Sequence, residues 1–163
     1  MNDILIRTAT TGDISAIQVV GLLTWPATYL PFTDPEYVIT NINSWWTAEA
    51  VRTTVVEETT FVATAESEVV GTLTLGEFED EPVIWKIYVL PKMQSRGVGA
   101  ALMNEALNAV GSDQDVRIEF IKGNDHAQSF YARMGFRFDF EEETEDGPTT
   151  VWLRRSAISP GSP

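Results

Sequence analysis

The stretch 94–102, QSRGVGAAL, decides the fold, because it places two glycines directly before an apolar segment with helical spacing. Glycine costs backbone entropy, so Gly97 and Gly99 indicate a special backbone conformation or a close approach to the backbone. The first turn of a helix presents unpaired N–H groups and a partial positive charge. The stretch therefore predicts a site for an anion such as a pyrophosphate at the start of a helix.

The charge around this stretch favours an anionic ligand, although the whole chain is acidic. Its 163 residues include 24 Asp and Glu against 11 Lys and Arg, which gives a formal net charge of −13. This balance disfavours a nucleic-acid-binding surface, because phosphate neutralisation needs clustered basic residues. Between Glu81 and Glu105, however, there is no acidic residue, and Lys86, Lys92 and Arg96 fall there. An anion can be accepted in this window by a protein that is acidic elsewhere.

Length and composition predict one cytoplasmic domain. The chain is 44% hydrophobic and long enough for one sizeable core. We expect the domain to cover residues 1–156 and a small Pro- and Gly-rich tail, residues 157–163, to be flexible. The absence of cysteine suggests a reducing compartment, and we expect neither a secretory leader nor a membrane-spanning stretch.

Hydrophobic periodicity predicts the element order β-α-α-β-β-β-α-β-α-β-β. The segment 82–90, PVIWKIYVL, is apolar nearly throughout, as a strand covered on both faces is. The glycine stretch and a helix follow it directly. This order predicts a mixed α/β or α+β domain with helices on both faces of one sheet.

Two common phosphate-binding motifs do not match the glycine stretch. The P-loop needs a Gly-Lys-Ser/Thr ending, but Gly99 is followed by Ala100 and Ala101. The dinucleotide-binding fingerprint needs a third glycine where Leu102 stands. On this stretch alone, a tight turn without a ligand stays open as the alternative.

A second motif further along the chain gives the sequence a family resemblance. The order of a strand, QSRGVGAAL, the strand VRIEFIKGN and AQSFYARMGF resembles the GCN5-related N-acetyltransferase (GNAT) family. The acetyl-CoA signature of that family, Gln/Arg-x-x-Gly-x-Gly/Ala, is matched by Gln94, Gly97 and Gly99. Its second signature is matched by Asn124, Ala127, Phe130, Tyr131, Gly135 and Phe136. The resemblance is tight from about residue 60 to 138. It implies a mixed, mostly antiparallel central sheet that splays between its two central parallel strands.

The resemblance implies acetyl transfer from acetyl-CoA to an amine, with no metal. The pyrophosphate would be held by Gln94, Ser95, Arg96, Gly97, Val98, Gly99 and Ala100. Along Ile87, Tyr88 and Val89, the strand backbone would pair with the pantetheine arm as a missing neighbouring strand would. The Val89 N–H would also stabilise the developing oxyanion. Asn124 would cap its helix and contact a pantetheine amide.

The resemblance also implies a general acid and leaves two candidates for the base. Tyr131 would protonate the leaving thiolate, although periodicity alone indicates a core-facing aromatic residue. Glu119 is ranked first as the base, because it interrupts an apolar strand where burial raises the pKa of a carboxyl. Glu81, acting through water, is ranked second, since Val83 stands where many relatives have a glutamate. A purely structural ion pair remains the alternative for Glu119.

The acceptor would bind in the N-terminal half, where Trp25 and Tyr29 are the predicted contacts. Aromatic faces together with acidic groups suit an ammonium. A small primary amine is the first hypothesis, and a peptide or protein N-terminus is the second. A non-catalytic acyl-CoA-binding module is the third, and Val83 favours it. The resemblance also allows a homodimer.

Overall fold

Seven strands form one sheet in a computed structural model, which describes residues 3–158. In chain order the strands are β1 (Ile4–Thr8), β2 (Thr59–Ala65), β3 (Glu68–Phe78), β4 (Glu81–Val89), β5 (Val116–Ile121), β6 (Arg137–Glu142) and β7 (Thr150–Arg155). The helices are α1 (Ile14–Tyr29), α2 (Pro35–Trp45), α3 (Ala48–Glu57), α4 (Val98–Val110) and α5 (Asp125–Arg133). The strand order across the sheet is β1-β2-β3-β4-β5-β7-β6.

Within the described residues, the sheet contains one pair of neighbouring parallel strands, which lies at its centre. All other neighbouring strands are antiparallel, whereas β4 and β5 run parallel and pair only at Val83↔Arg117 and Ile84↔Ile118. Beyond Ile84 the two strands diverge. The predicted mostly antiparallel sheet with two splayed central strands is therefore confirmed.

Helices cover both faces of the sheet, as predicted. On one face, α4 buries Leu102 and Met103 against sheet residues such as Ile84 and Ile118. On the other face, α1 and α3 pack against the sheet through a second cluster, which includes Ile17, Val51, Trp46 and Val62. The amphipathic spacing read from the sequence therefore orients these helices as expected.

One helix was not predicted. The sequence indicates two helices before β2, but the structure has a third, α3, with the sequence AEAVRTTVVE. Its β-branched residues have low helix propensity and obscure the helical pattern. A capping signal is nevertheless present, because the side chain of Thr47 accepts a hydrogen bond of 3.1 Å from the Ala50 N–H.

The joint between α1 and the end of α2 is closely packed. The six-membered ring of Trp46 lies directly on Gly21, so that a Cβ at position 21 would overlap the indole. Gln18 donates a hydrogen bond of 3.0 Å from its side chain to the Trp46 carbonyl. Trp46 is 2% exposed and is therefore held in one position beside the sheet.

The end of the described chain is attached to the domain by backbone hydrogen bonds. The Ala157 N–H donates to the Asp115 carboxylate at 2.7 Å, and the Ile158 N–H donates to the Ser112 carbonyl at 2.7 Å. The remainder of the predicted tail, residues 159–163, lies outside the described residues. None of the helices within residues 3–158 combines the length and apolar composition that crossing a bilayer requires.

Candidate functional site

A cavity of about 760 Å³ opens where β4 and β5 diverge. Its lining joins the glycine turn, both diverging strands, α5 and the aromatic residues of α1 and α2. Of the residues predicted from the sequence, the cavity is lined by Trp25, Tyr29, Ile87, Tyr88, Val89, Gln94, Ser95, Gly97, Val98, Gly99, Ala100, Glu119, Asn124 and Tyr131. Arg96 and Glu81 do not line it.

One edge of the β4 backbone faces this gap and is not paired with β5 beyond Ile84. The Leu90 N–H donates to the Val70 carbonyl on β3 at 2.8 Å. Because successive residues of a strand direct their backbone groups to opposite edges, the Val89 N–H points away from β3. At that edge β5 has diverged, so a ligand that enters the gap meets an unpaired strand edge.

The turn before α4 has the left-handed backbone that forms an anion-binding concavity. Ser95 has φ 64° and Gly97, the N-cap residue of α4, has φ 81°. Such turns direct successive N–H groups to one point, and the helix N-terminus adds its partial positive charge. A Cβ at Gly97 would meet no atom within 4 Å, so glycine is needed there for its conformation rather than for space.

Gly99 and Arg96 differ from Gly97 in their surroundings. A Cβ at Gly99 would lie 3.4 Å from the Phe130 ring, which is ordinary contact, and Gly99 does not need a positive φ. Arg96 is exposed and outside the cavity lining. The anion-binding surface of this turn is therefore formed by backbone groups and not by the Arg96 side chain.

Tyr131 lies on α5 and faces the cavity. It is 8% exposed and packs against Phe120, Phe130 and Phe136. Burial raises the pKa of its phenol, so the phenol keeps its proton at neutral pH. Asn124 caps the same helix, because its side-chain oxygen accepts a hydrogen bond of 3.2 Å from the Ala127 N–H.

Glu119 lies on β5 opposite Trp152 of β7, and its side chain lines the cavity. Burial raises the pKa of the Glu119 carboxyl, and the negative charge of Glu142 adds to the effect. Among the described residues, no lysine or arginine forms an ion pair with Glu119. Its proton affinity is therefore raised without a compensating cation.

Glu81 has a different environment at the other end of β4. Its carboxylate contacts the Arg154 guanidinium at 2.7 Å and the Arg117 guanidinium at 3.2 Å. Arg154 also contacts Asp115 and Asp139. Glu81 thus belongs to an ion-pair network that ties β4 to β7, away from the cavity.

Aromatic residues of α1 form one wall of the cavity. The rings of Trp25 and Tyr29 lie 4.0 Å apart, and the Tyr29 and Tyr88 hydroxyls share a hydrogen bond of 2.8 Å. Burial raises the pKa of Tyr29 to about 12. This wall is neutral and aromatic at physiological pH.

Several further lining residues were not predicted from the sequence as site residues, among them Tyr37, Glu58 and Lys86. Lys86 could have been found, since it is the one charged residue in the apolar segment 82–90. Glu58 and Tyr37 carry no comparable signal, because each lies in a polar stretch. Their place in the cavity depends on how α2 and α3 pack.

The sequence matches a known family profile and a curated relative. The profile described as acetyltransferase (GNAT) domain matches residues 56–138. An uncharacterized N-acetyltransferase from Staphylococcus saprophyticus is 38% identical over 76 residues, which cover 46% of this chain and 47% of that protein. The alignment therefore spans about half the length of this relative.

Solved structures with the same fold cover nearly the whole chain. The PaiA N-acetyltransferase from Thermoplasma acidophilum, in complex with coenzyme A, has a TM-score of 0.81 and 22% identity, covering 94% of this chain and 99% of that one. The ribosomal-protein-S18-alanine N-acetyltransferase from Escherichia coli has a TM-score of 0.72 and 18% identity, covering 98% and 97%. At these identities the likeness concerns the fold.

Proposed function

Since the chain belongs to the acetyltransferase (GNAT) family, we propose that it transfers an acetyl group from acetyl-CoA to the primary amine of a small molecule. The observation that carries this proposal is the cavity itself, which connects the glycine turn, the free edge of β4, Tyr131 and Glu119 in one space. A turn site for an anion next to an unpaired strand edge suits a ligand with a pyrophosphate and an amide-containing arm.

On the donor side, the backbone of the turn and of β4 would hold acetyl-CoA. The N–H groups of the turn before α4 would bind the pyrophosphate, and the edge of β4 at Ile87 and Val89 would pair with the pantetheine arm. Asn124 would contact an amide of that arm. The acetyl-CoA would supply the acetyl group as a thioester.

The proposed chemistry is a direct attack of the amine on the thioester. The amine nitrogen forms a bond to the carbonyl carbon, the carbon–sulfur bond breaks, and the amine loses one proton. Glu119 would accept that proton, Tyr131 would protonate the thiolate that leaves, and the Val89 N–H would stabilise the oxyanion. Glu119 is favoured over Glu81 by its position in the cavity and by the absence of an arginine partner.

A small acceptor is favoured by the size and the lining of the cavity. Part of its volume of about 760 Å³ would be taken by the acetyl-CoA that the same cavity holds, so the space left for an acceptor is small. Trp25 and Tyr29 would contact the acceptor with their rings. A peptide or protein N-terminus is the second candidate, because the resemblance extends to the branch of the family that acetylates ribosomal-protein N-termini, in which a glutamate at the spacing of Glu119 from Asn124 serves as the base.

A panel of amines tests the proposal. The full chain with acetyl-CoA would be incubated with small primary amines and with short peptides, and the thiol that is released would be measured. We expect release that depends on a small amine and that falls in Tyr131→Phe. Release that no amine or peptide stimulates would instead support a non-catalytic acyl-CoA-binding module.

A further inference from the structure

Lys86 lies in the part of the cavity that the proposed chemistry leaves without a role. It is on β4, two residues before Tyr88, and so faces the same side of the sheet, which α1 to α3 cover. Its ammonium donates a hydrogen bond of 3.0 Å to the Trp45 carbonyl and lies 4.5 Å from the centre of the Trp46 ring. Two contacts therefore fix this cation at the acceptor end of the cavity.

The platform beneath Lys86 is rigid. The Trp46 indole cannot move towards α1, because it already lies on Gly21. The backbone carbonyl of Trp46 is also held, since it accepts a hydrogen bond from the Gln18 side chain. The edge of the indole contacts Tyr88 at a ring distance of 5.4 Å. A charge held in this way needs little reorganisation to bind a ligand.

The ammonium of Lys86 has no anionic partner in contact within residues 3–158. No carboxylate there lies at ion-pair distance, although Glu58, whose charge raises the pKa of Lys86, also lines the cavity. Burial lowers the pKa of Lys86 to about 8, and the negative charge of Glu58 opposes the shift. The Lys86 ammonium is thus charged at neutral pH and only partly solvated, and the Trp45 carbonyl accepts from only one of its three N–H donors, so an anion in the cavity would stabilise it further.

Two residues that share the cavity lining with Lys86 each have an unsatisfied buried polar atom. Within the described chain, neither the Trp46 Nε1 nor the Glu58 Oε2 has a hydrogen-bond partner. Buried polar groups usually have a partner, and of these two atoms only the indole N–H is a donor that an acceptor carboxylate could use. Among the described residues, Arg133 is the other lysine or arginine of the lining, and it lies on α5, on the side proposed for acetyl-CoA. Of the lysine and arginine residues in the described lining, Lys86 is therefore the one on the acceptor side.

We infer that Lys86 binds a carboxylate of the acceptor, so that the preferred substrates are amines that carry a carboxylate, as amino acids do. This inference rests on the proposed function. The net charge of −13 attracts cationic amines to the protein surface in general. An ammonium inside the acceptor site would repel amines that carry only positive charge, and so would select for those that also carry a carboxylate.

Matched acceptors test this inference directly. Phenylalanine would be compared with phenethylamine and phenylalaninamide, and leucine with isoamylamine, by kcat/KM for thiol release. We expect the carboxylate-bearing member of each pair to be favoured about 10-fold or more, as a hydrogen bond to a charged group permits. In Lys86→Met this ratio should fall to near one, whereas Lys86→Arg should retain part of it.

Glu58→Gln is the control for a purely structural role. If Lys86 serves only to neutralise Glu58, this variant should unfold more easily and leave the acceptor ratio unchanged. If Lys86 binds the acceptor carboxylate, removal of the competing charge should maintain or increase the preference. The inference is overturned if the parent favours the decarboxylated amines, or if Lys86→Met lowers kcat/KM for both members of a pair alike.

A failure of the proposed function can be distinguished from a failure of this inference. If no amine releases thiol, the proposed activity is wrong, and binding then decides the role of Lys86. N-acetylphenylalanine and N-acetylphenethylamine would be titrated by calorimetry into the chain saturated with CoA. Tighter binding of the carboxylate-bearing compound that Lys86→Met abolishes supports the site, and equal binding rules it out.

Discussion

Gln94 donates a hydrogen bond of 3.1 Å from its side-chain Nε2 to the carbonyl oxygen of Val89. This bond joins the glycine turn to the end of β4, where the backbone no longer pairs with β5. The turn and the strand edge are therefore positioned relative to each other by the chain itself. A ligand that spans both would find them already aligned, which reduces the entropic cost of binding.

The first prediction concerns charge at the glycine turn. Asp and Asn are nearly equal in shape, and both tolerate the left-handed conformation of Gly97 better than other side chains do. We expect Gly97→Asp to bind acetyl-CoA at least about 10-fold more weakly than Gly97→Asn, because its carboxylate would face the pyrophosphate. Calorimetry on the two folded variants measures this difference, and equal affinities would exclude the turn as the pyrophosphate site.

The second prediction concerns Tyr131. Tyr131→Phe removes only the hydroxyl and keeps the ring that packs against Phe120 and Phe136. We expect turnover to fall by roughly 10² or more, as is usual for the loss of a general acid, while acetyl-CoA affinity changes much less. Steady-state kinetics and calorimetry separate the two effects. Turnover equal to that of the parent would remove Tyr131 from the mechanism.

The third prediction concerns the pH dependence that Glu119 imposes. A base must be deprotonated to act, so activity should rise as the pH rises through the pKa of Glu119, which burial places above its ordinary value. Glu119→Gln should lower kcat/KM and remove this low-pH limb. The measurement is kcat/KM as a function of pH at a fixed ionic strength.

Glu81→Gln is the matched control for Glu119. It should affect turnover less, because Glu81 contacts Arg154 and Arg117 outside the cavity. It should instead lower the free energy of unfolding, since two guanidinium groups lose a partner. A reversed ranking in turnover would identify Glu81, acting through water, as the base.

The parts of the site that the sequence predicted are those fixed by local backbone rules. Gly97 could be assigned because a residue with positive φ before a helix favours glycine. Asn124 could be assigned because asparagine is a preferred N-cap residue. Tyr131 needed more than periodicity, which does not distinguish a core aromatic from an acid, so only the family resemblance gave it a role.

The parts that the sequence did not predict depend on packing between distant segments. Lys86 and Glu58 line one cavity because α3 returns the chain to the sheet, and α3 itself was missed. The ion pairs of Glu81 with Arg154 join residues 73 positions apart, and no local pattern indicates such a contact. Long-range pairing of charges is set by the strand order, which becomes visible only in the folded chain.

The last prediction uses the same substitution in two helices. Glycine in a helix interior, where Gly21 lies, normally costs about 0.5–1 kcal/mol relative to alanine, and the cost at Gly99, in the first turn of α4, is expected to be smaller. Gly99 has room, since the new Cβ would be in ordinary contact with Phe130, and Gly99→Ala should not destabilise the protein without ligand.

Gly21 has no room for a Cβ, because the Trp46 indole occupies its place. Gly21→Ala should therefore lower the free energy of unfolding by about 1–3 kcal/mol, as overpacking does. It should also displace Trp46, on whose ring the Lys86 ammonium lies. Urea unfolding measures both effects: no loss in the free energy of unfolding for Gly99→Ala, and a loss for Gly21→Ala. If both variants were stabilised, Trp46 would be free to move, and the Lys86 ammonium would not be held in place.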